Sequence, residues 1–261
     1  MGEKVLMKGN EAIGEAAIRS GCRHFFGYPI TPQTELSAYM AKKMPKINGV
    51  FLQAESEVSA INMVYGAAAA GMRAMTSSSS PGISLKAEGI SYLAAGDLPC
   101  VIVNIVRGGP GLGGIQPAQS DYFQAVKGGG HGDYHLIVLA PNSVQELAYL
   151  TAEAFNISDE YRIPTMILGD GTLGQMMEPV DLDAIPEPIY ADKPWAAIGT
   201  DNKRKKNVVE TLYLEASELE KKVLEREEKY NVVKENLQRY EAHDIDDADI
   251  IISSYGITSR V

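Results

Sequence analysis

Short apolar, β-branched runs alternate with stretches whose apolar positions recur at helical spacing, from the start of the chain to about residue 175. The spacing predicts a helix from Asn10 to Ser20, closed by Gly21 where a left-handed cap would sit. HFFGYPI (24–30) reads as a strand and TPQTELSAYMAKKM (31–44) as a helix, with Thr31 as N-cap and Pro32 as first helical residue. VFLQAE (50–55) is a second strand, feeding the helix EVSAINMVYGAAAAG. RAMTSSSS (73–80) runs into the helix ISLKAEGISYLAAG, and PCVIVNIV (99–106) is apolar enough for a strand covered on both faces. HLIVLAP (135–141), the helix SVQELAYLTAEAFNIS and the strand PTMILGD (164–170) complete the series.

Strands alternating with helices predict a doubly wound α/β fold with a parallel sheet. Ligands of such sheets sit beyond the carboxyl ends of the strands. The unusual loops YPITP, QAESE, TSSSSPG and RGGPGLGGIQPAQ all fall there, so one rim of the sheet is the expected site.

The pattern changes after about residue 176. MMEPVDLDAIPEPIYADKPWAAIG is proline-rich and acidic, and reads as an extended surface segment. Residues 206–242 are charged and helix-forming, a helix roughly 50 Å long if continuous. It either packs along the domain or serves as a partner-binding arm. ADIIISSYGITSRV (248–261) reads as a buried strand, a glycine turn and a helix start. The expected organisation is therefore one α/β domain over 1–180, a linker with a charged helical segment over 181–247, and from 248 the first strand of a truncated second α/β domain.

With 261 residues, 45% of them hydrophobic and 22% charged, the chain has the profile of a globular domain with a sizeable core. Its net charge of −10 argues against nucleic acid or anionic membranes as partners. No apolar run approaches the roughly 20 residues of a bilayer span, and the first residues lack a signal-peptide core, so a cytoplasmic location is expected. Cys22 and Cys100 alone cannot ligate an iron–sulfur cluster, and His24, His131, His135 and His243 lack metal-ligand spacing. Electrons in any redox reaction must then travel on something bound or on a partner.

Thr31, at a strand-to-helix junction, suits either a carboxylate or phosphate ligand or a plain cap. Glu57 opens an alanine-rich helix, where a glutamate either complements the helix dipole or does acid–base work; Glu55 competes for the latter. Arg107, ahead of GGPGLGG, suits bidentate binding of a small acid, or a structural salt bridge. The glycines match no phosphate-binding fingerprint. His131 lies among the glycines of KGGGHGDY with Lys127, and its partners are not visible in the sequence. GDG at 169–171 imitates the start of the Mg²⁺–thiamine diphosphate motif, but the asparagine that motif needs is missing where WAAIGT stands, so Asp170 reads as structural.

YPITP followed by TE, the SE pair before the Ala/Gly-rich helix, TSSSSPGISL, and RGGPG leading to QSDYFQAVKGGGHGDY together resemble the α subunit of 2-oxoacid:ferredoxin oxidoreductases, nearest the branched-chain, 2-ketoisovalerate type. The resemblance covers about residues 5–180 and resumes at ADIIISSYG. It implies a thiamine diphosphate-binding, pyrimidine-type fold and oxidative decarboxylation of a 2-oxoacid to an acyl-CoA with reduction of ferredoxin. It implies that Tyr28, Pro29, Ile30 and Glu57 meet the cofactor, Glu57 at the pyrimidine N1′, and that Thr31 and Arg107 hold the substrate carboxylate. The diphosphate and Mg²⁺ would belong to a separate β subunit, no metal to this chain, and the iron–sulfur clusters to γ and ferredoxin-like subunits. CoA would be a co-substrate and the assembly a homodimer of αβ units. The 2-oxoglutarate type, a scaffold subunit, and a thiamine-dependent decarboxylase or synthase are the rival readings.

Overall fold

The computed structural model describes residues 4–261. β1 (Lys4–Lys8) leads into α1 (Gly9–Arg19), and Gly21 follows at φ +79°, the left-handed conformation expected of a helix C′ glycine. The chain continues through β2 (His24–Gly27), α2 (Thr34–Lys43), β3 (Val50–Gln53), α3 (Glu57–Ala69), β4 (Ala74–Ser78), α4 (Pro81–Ala95) and β5 (Val101–Val106). Then come α5 (Tyr122–Val126), β6 (Ile137–Leu139), α6 (Val144–Tyr161), β7 (Thr165–Asp170), α7 (Gly171–Gln175), β8 (Met177–Asp181) and α8 (Ala216–Asn236). Six strands form a parallel sheet in the order β3-β2-β4-β5-β7-β6. This is the doubly wound class that the alternating pattern predicts.

β5 lies inside the sheet and is buried throughout, and its alternation divides the core. Val101, Val103 and Ile105 face α1, α2 and α6, whereas Ile102 and Val106 face α3 and α4. From β2 the chain steps outward to β3, then returns across β2 to β4. The sheet's order therefore reverses between β2 and β4, and their carboxyl ends flank the crevice where such folds place ligands.

Three expectations change. Thr31 is not a helix cap. α2 begins at Thr34 after Gln33, because the Pro32 carbonyl is drawn aside by Asn10 Nδ2 (2.9 Å) and Gln175 Nε2 (3.2 Å), and the Gln33 amide closes a turn onto the Ile30 carbonyl. The strand before it accordingly ends at Gly27, not Ile30.

The charged helix is also shorter, 21 residues or roughly 31 Å. Residues 206–214 are extended, since Asn207 Nδ2 bonds the Pro194 and Ala196 carbonyls and sews this stretch to its neighbour. α8 packs along the domain through the buried Tyr230, whose ring meets His135 edge-on at 5.0 Å. Arg226 donates to the Ala95 carbonyl and Lys229 to the Asp97 carboxylate and the Arg162 carbonyl, so cations meet the C-terminal ends of α4 and α6.

No strand forms over 248–255, and Ile250 and Ile252 are 82% and 89% exposed. Tyr255 instead clasps Gln119, whose Nε2 donates to the Tyr255 carbonyl (2.8 Å) while the Tyr255 hydroxyl donates to the Gln119 carbonyl (3.1 Å). The acidic segment after residue 176 is extended as expected, but Met177–Asp181 pairs antiparallel with Lys4–Lys8 in a two-stranded sheet that the pattern does not reveal.

Arg73 ties the far end of the sheet together. Its guanidinium is buried and donates to Asp159 Oδ2 (2.7 Å), the Ser20 carbonyl (2.6 Å), Asn156 Oδ1 (3.0 Å) and the Ile189 carbonyl (2.5 Å). Arg73→Ala strands those acceptors and leaves Asp159 to Lys193 alone, so urea unfolding should register a loss of about 3 kcal/mol or more. A loss under about 1 kcal/mol would mean that the network contributes little.

Candidate active site at the carboxyl rim

β2 and β4 pair only at His24–Ala74 and Phe25–Met75, then diverge. Beyond Met75, β4 is paired on the β5 side alone, so its polar groups on the β2 side need other partners. The Ser77 hydroxyl donates to Gln33 Oε1 (2.5 Å), and Gln33 Nε2 donates to the Tyr28 carbonyl (3.1 Å), which anchors the Tyr28–Thr31 loop across the opening. The Ser77 carbonyl accepts from Lys86 Nζ (3.1 Å), which reaches it from α4. The hydroxyls of Thr76, Ser78 and Ser79 are buried and without partners among the described residues.

Glu57 enters from the opposite wall. Ser56 caps α3, accepting from the Ser59 amide at 3.2 Å, and Glu57 follows as the first helical residue, 6% exposed. Its neighbour Glu55 is exposed and accepts from Ser59 Oγ at 2.8 Å, so of the two carboxylates only that of Glu57 is buried. No hydrogen bond among the described residues reaches the Glu57 carboxylate. That carboxylate lies against Gly82 in the first turn of α4: a Cβ there would stand 2.8 Å from Glu57 Oε1 and 2.0 Å from Ser78 Oγ. Only glycine lets the carboxylate and the helix backbone approach this closely.

Lys86, one turn further along α4, is fully buried. Burial lowers its pKa to about 8, and the negative charge of Glu57 resists the fall. Sequence reasoning did not single out Lys86. A signal was there, because it falls on the same helical stripe as Ile83, Ile90 and Leu93, where a core residue belongs.

Arg107 and Thr31 do meet, though not as two free side chains. Arg107 Nη1 donates to the Thr31 carbonyl (3.0 Å) and Nη2 to the Leu112 carbonyl (2.8 Å), leaving Nε buried without a partner among the described residues. The Thr31 side chain is exposed. The arginine thus clasps the β2 loop to the glycine loop, with its Nε–H unpartnered among the described residues. Ser80, at φ +26°, is held in that strained conformation by the Asn104 side chain and by hydroxyl contacts with the Arg107 backbone. Tyr28, Pro29 and Ile30 form the rim. His131 is exposed, with Ser91 and Tyr92 as neighbours, and none of its contacts joins it to Glu57.

Asp170 reads as structural for a clear reason: its carboxylate caps α7, accepting from Thr172 and Leu173. Among the described residues no group of three or more His, Cys, Asp or Glu could hold a metal ion, and no helix is long and apolar enough to cross a membrane.

The crevice thus combines a buried carboxylate without a donor, three unpartnered hydroxyls and a bare helix turn. Residues 15–255 match the family model "Pyruvate flavodoxin/ferredoxin oxidoreductase, thiamine diP-bdg". The chain belongs to this family. It is an α-type subunit of a 2-oxoacid:ferredoxin oxidoreductase.

It is 51% identical to ketoisovalerate oxidoreductase subunit VorB of Methanothermobacter marburgensis over 256 residues, 98% of this chain and 72% of that protein. It is 46% identical to 2-oxoglutarate synthase subunit KorA of Methanothermobacter thermautotrophicus over 185 residues, 70% of this chain and 48% of that protein. Among solved structures, 2-oxoglutarate:ferredoxin oxidoreductase from Magnetococcus marinus, with 2-oxoglutarate, coenzyme A and succinyl-CoA bound, superposes with a TM-score of 0.81 at 30% identity. That match covers 91% of this chain and 46% of the other, so the chain spans under half the length of that solved relative.

Burial of Lys86 has a thermodynamic signature. Below about pH 8 the folded and unfolded states both carry its proton, and the full desolvation cost weighs on the fold. Between there and the ordinary lysine range near 10.4, only the folded state has released it, so rising pH favours folding by up to about 3 kcal/mol. Urea unfolding of wild type and Lys86→Met at stepped pH isolates this term, because cysteine and tyrosine contributions cancel in the difference. Wild type should gain on the variant across that window; a constant difference would contradict the burial of a charged lysine.

Proposed function

We propose that this chain is the pyrimidine-binding subunit of a cytoplasmic, thiamine diphosphate-dependent enzyme that oxidatively decarboxylates a branched-chain 2-oxoacid such as 2-ketoisovalerate. The products would be an acyl-CoA and reduced ferredoxin. The observation that carries the reading is the buried Glu57 carboxylate, aimed at a bare helix turn in the crevice between β2 and β4. The unpartnered hydroxyls of Thr76, Ser78 and Ser79 suit a flat heteroaromatic ring with donors and acceptors on its edge, and the missing side chain of Gly82 gives the Glu57 carboxylate and Ser78 their room.

When bound, thiamine supplies the carbon nucleophile and the electron sink that decarboxylation requires. The residues of this chain prepare it. Glu57 holds a proton at its carboxylate oxygen, shared with the N1′ position. Gln33 and Ser77 fix the Tyr28–Thr31 loop at the rim. The Thr31 hydroxyl and the free Arg107 Nε bind the carboxylate of the 2-oxoacid, and the clasp of Arg107 on the Thr31 carbonyl sets their spacing.

Asp170 is spent as a helix cap, in keeping with diphosphate and Mg²⁺ held by a β subunit. The two cysteines leave the iron–sulfur clusters to other subunits of the complex, γ and ferredoxin-like. Leu112, Ile115 and Phe123, 81%, 63% and 72% exposed beside the site, supply the apolar surface that a partner subunit would cover. A homodimer of αβ units, with CoA as co-substrate, completes the reading. Similarity to VorB over nearly the whole chain favours the branched-chain substrate. The solved Magnetococcus marinus relative and the KorA proteins favour 2-oxoglutarate as the second reading.

The test is turnover by the complex purified anaerobically around the full-length protein. Viologen reduction should require CoA and be fastest with 2-ketoisovalerate; a preference for 2-oxoglutarate would select the second reading. Glu57→Gln should lower turnover by about a hundredfold or more. A loss under about threefold would remove Glu57 from the chemistry.

A further inference from the structure

Lys86 is a buried cation that the proposed chemistry does not use. It is fully buried and makes a single hydrogen bond, to the Ser77 carbonyl, although an ammonium has three donors. It lies four residues beyond Gly82, on the same side of α4, and the Glu57 carboxylate rests against Gly82. Glu57, at the start of α3, is the carboxylate whose charge acts on it without a direct ion pair, and β4 brings only hydroxyls and carbonyls. Glu88, on its own helix, is exposed and engaged by the Tyr92 hydroxyl.

We infer that Lys86 is a positioning residue for Glu57, the buried counter-charge that keeps the carboxylate inside the crevice and directed at the aminopyrimidine of thiamine. The inference rests on the proposed function, which puts that ring against Glu57. Glu57 is 6% exposed and has no donor of its own among the described residues, and the charge of Lys86 offsets part of the cost of holding a carboxylate there. Neither Thr76 nor Ser78 carries a charge that can do this. Without the ammonium, the least costly course for Glu57 is to turn out of the crevice, and the site then loses its acceptor before any ligand arrives.

A cap on the Ser77 carbonyl is the competing role, and two substitutions separate them. Lys86→Met removes both charge and donor, whereas Lys86→Gln removes the charge and retains a donor. The experiment measures thiamine diphosphate affinity by equilibrium dialysis on the intact complex, in the wild-type and Glu57→Gln backgrounds. Both Lys86 variants should weaken binding about tenfold or more in the wild-type background. In the Glu57→Gln background, where no charge needs balancing, they should change it by less than about twofold.

Equal losses in the two backgrounds, or full rescue by Lys86→Gln, would overturn the inference. If Lys86→Met does not assemble, the same cycle is read on assembly yield. The Lys86→Met/Glu57→Gln double variant should then recover assembly, and failure of both alike would overturn the inference. Wild-type turnover and cofactor affinity in Glu57→Gln alone would instead overturn the proposed function.

Discussion

The divergence of β2 from β4 beyond Met75 is the constraint around which the molecule is arranged. A parallel sheet satisfies its backbone through both neighbours, so a strand that loses one must find other partners for its polar groups. Here those partners are Gln33 on one side and Lys86 on the other. One brings the β2 loop over the crevice, and the other brings a cation beneath it. The reversal of strand order thus leaves a polar, partly unsatisfied crevice in a sheet otherwise packed by aliphatic side chains.

The helices then deliver chemistry to that pocket. α3 places Glu57 at its first position because Ser56 caps it and β3 ends directly before. α4 places Gly82 opposite, and its missing side chain is what admits the carboxylate. Arg107, at the end of β5, spends most of its fork on backbone carbonyls of two loops. It shapes the mouth of the site as much as it offers charge to a ligand. Binding and stability are coupled here, because the groups that await a ligand are the ones left unsatisfied without it.

How much of this the sequence discloses varies with the range of the interactions. The parallel strands were legible because apolar runs such as VIVNIV must be buried on both faces, and the glutamate and arginine at their ends because loops at strand ends are conspicuous. β1 and β8 were not, since KVLMK and MEPVD pair across more than 160 residues and carry little alternation. The N-cap assigned to Thr31 failed because distant side chains, Asn10 and Gln175, claim the Pro32 carbonyl. The strain at Ser80 and the hydrogen bonds of Arg107 are equally tertiary. Lys86 was hidden by habit: a lysine in a helix reads as solvated, although its place on the Ile83–Leu93 stripe marks it as buried.

The central claim is that the crevice between β2 and β4 holds an aminopyrimidine against Glu57. The most direct measurement is an experimental structure of the anaerobically purified complex with thiamine diphosphate bound, at a resolution that defines the ring. A Glu57 carboxylate oxygen within hydrogen-bonding distance of the pyrimidine N1′ is the expected result. A ring bound elsewhere, or Glu57 turned away from it with the cofactor in place, would contradict it.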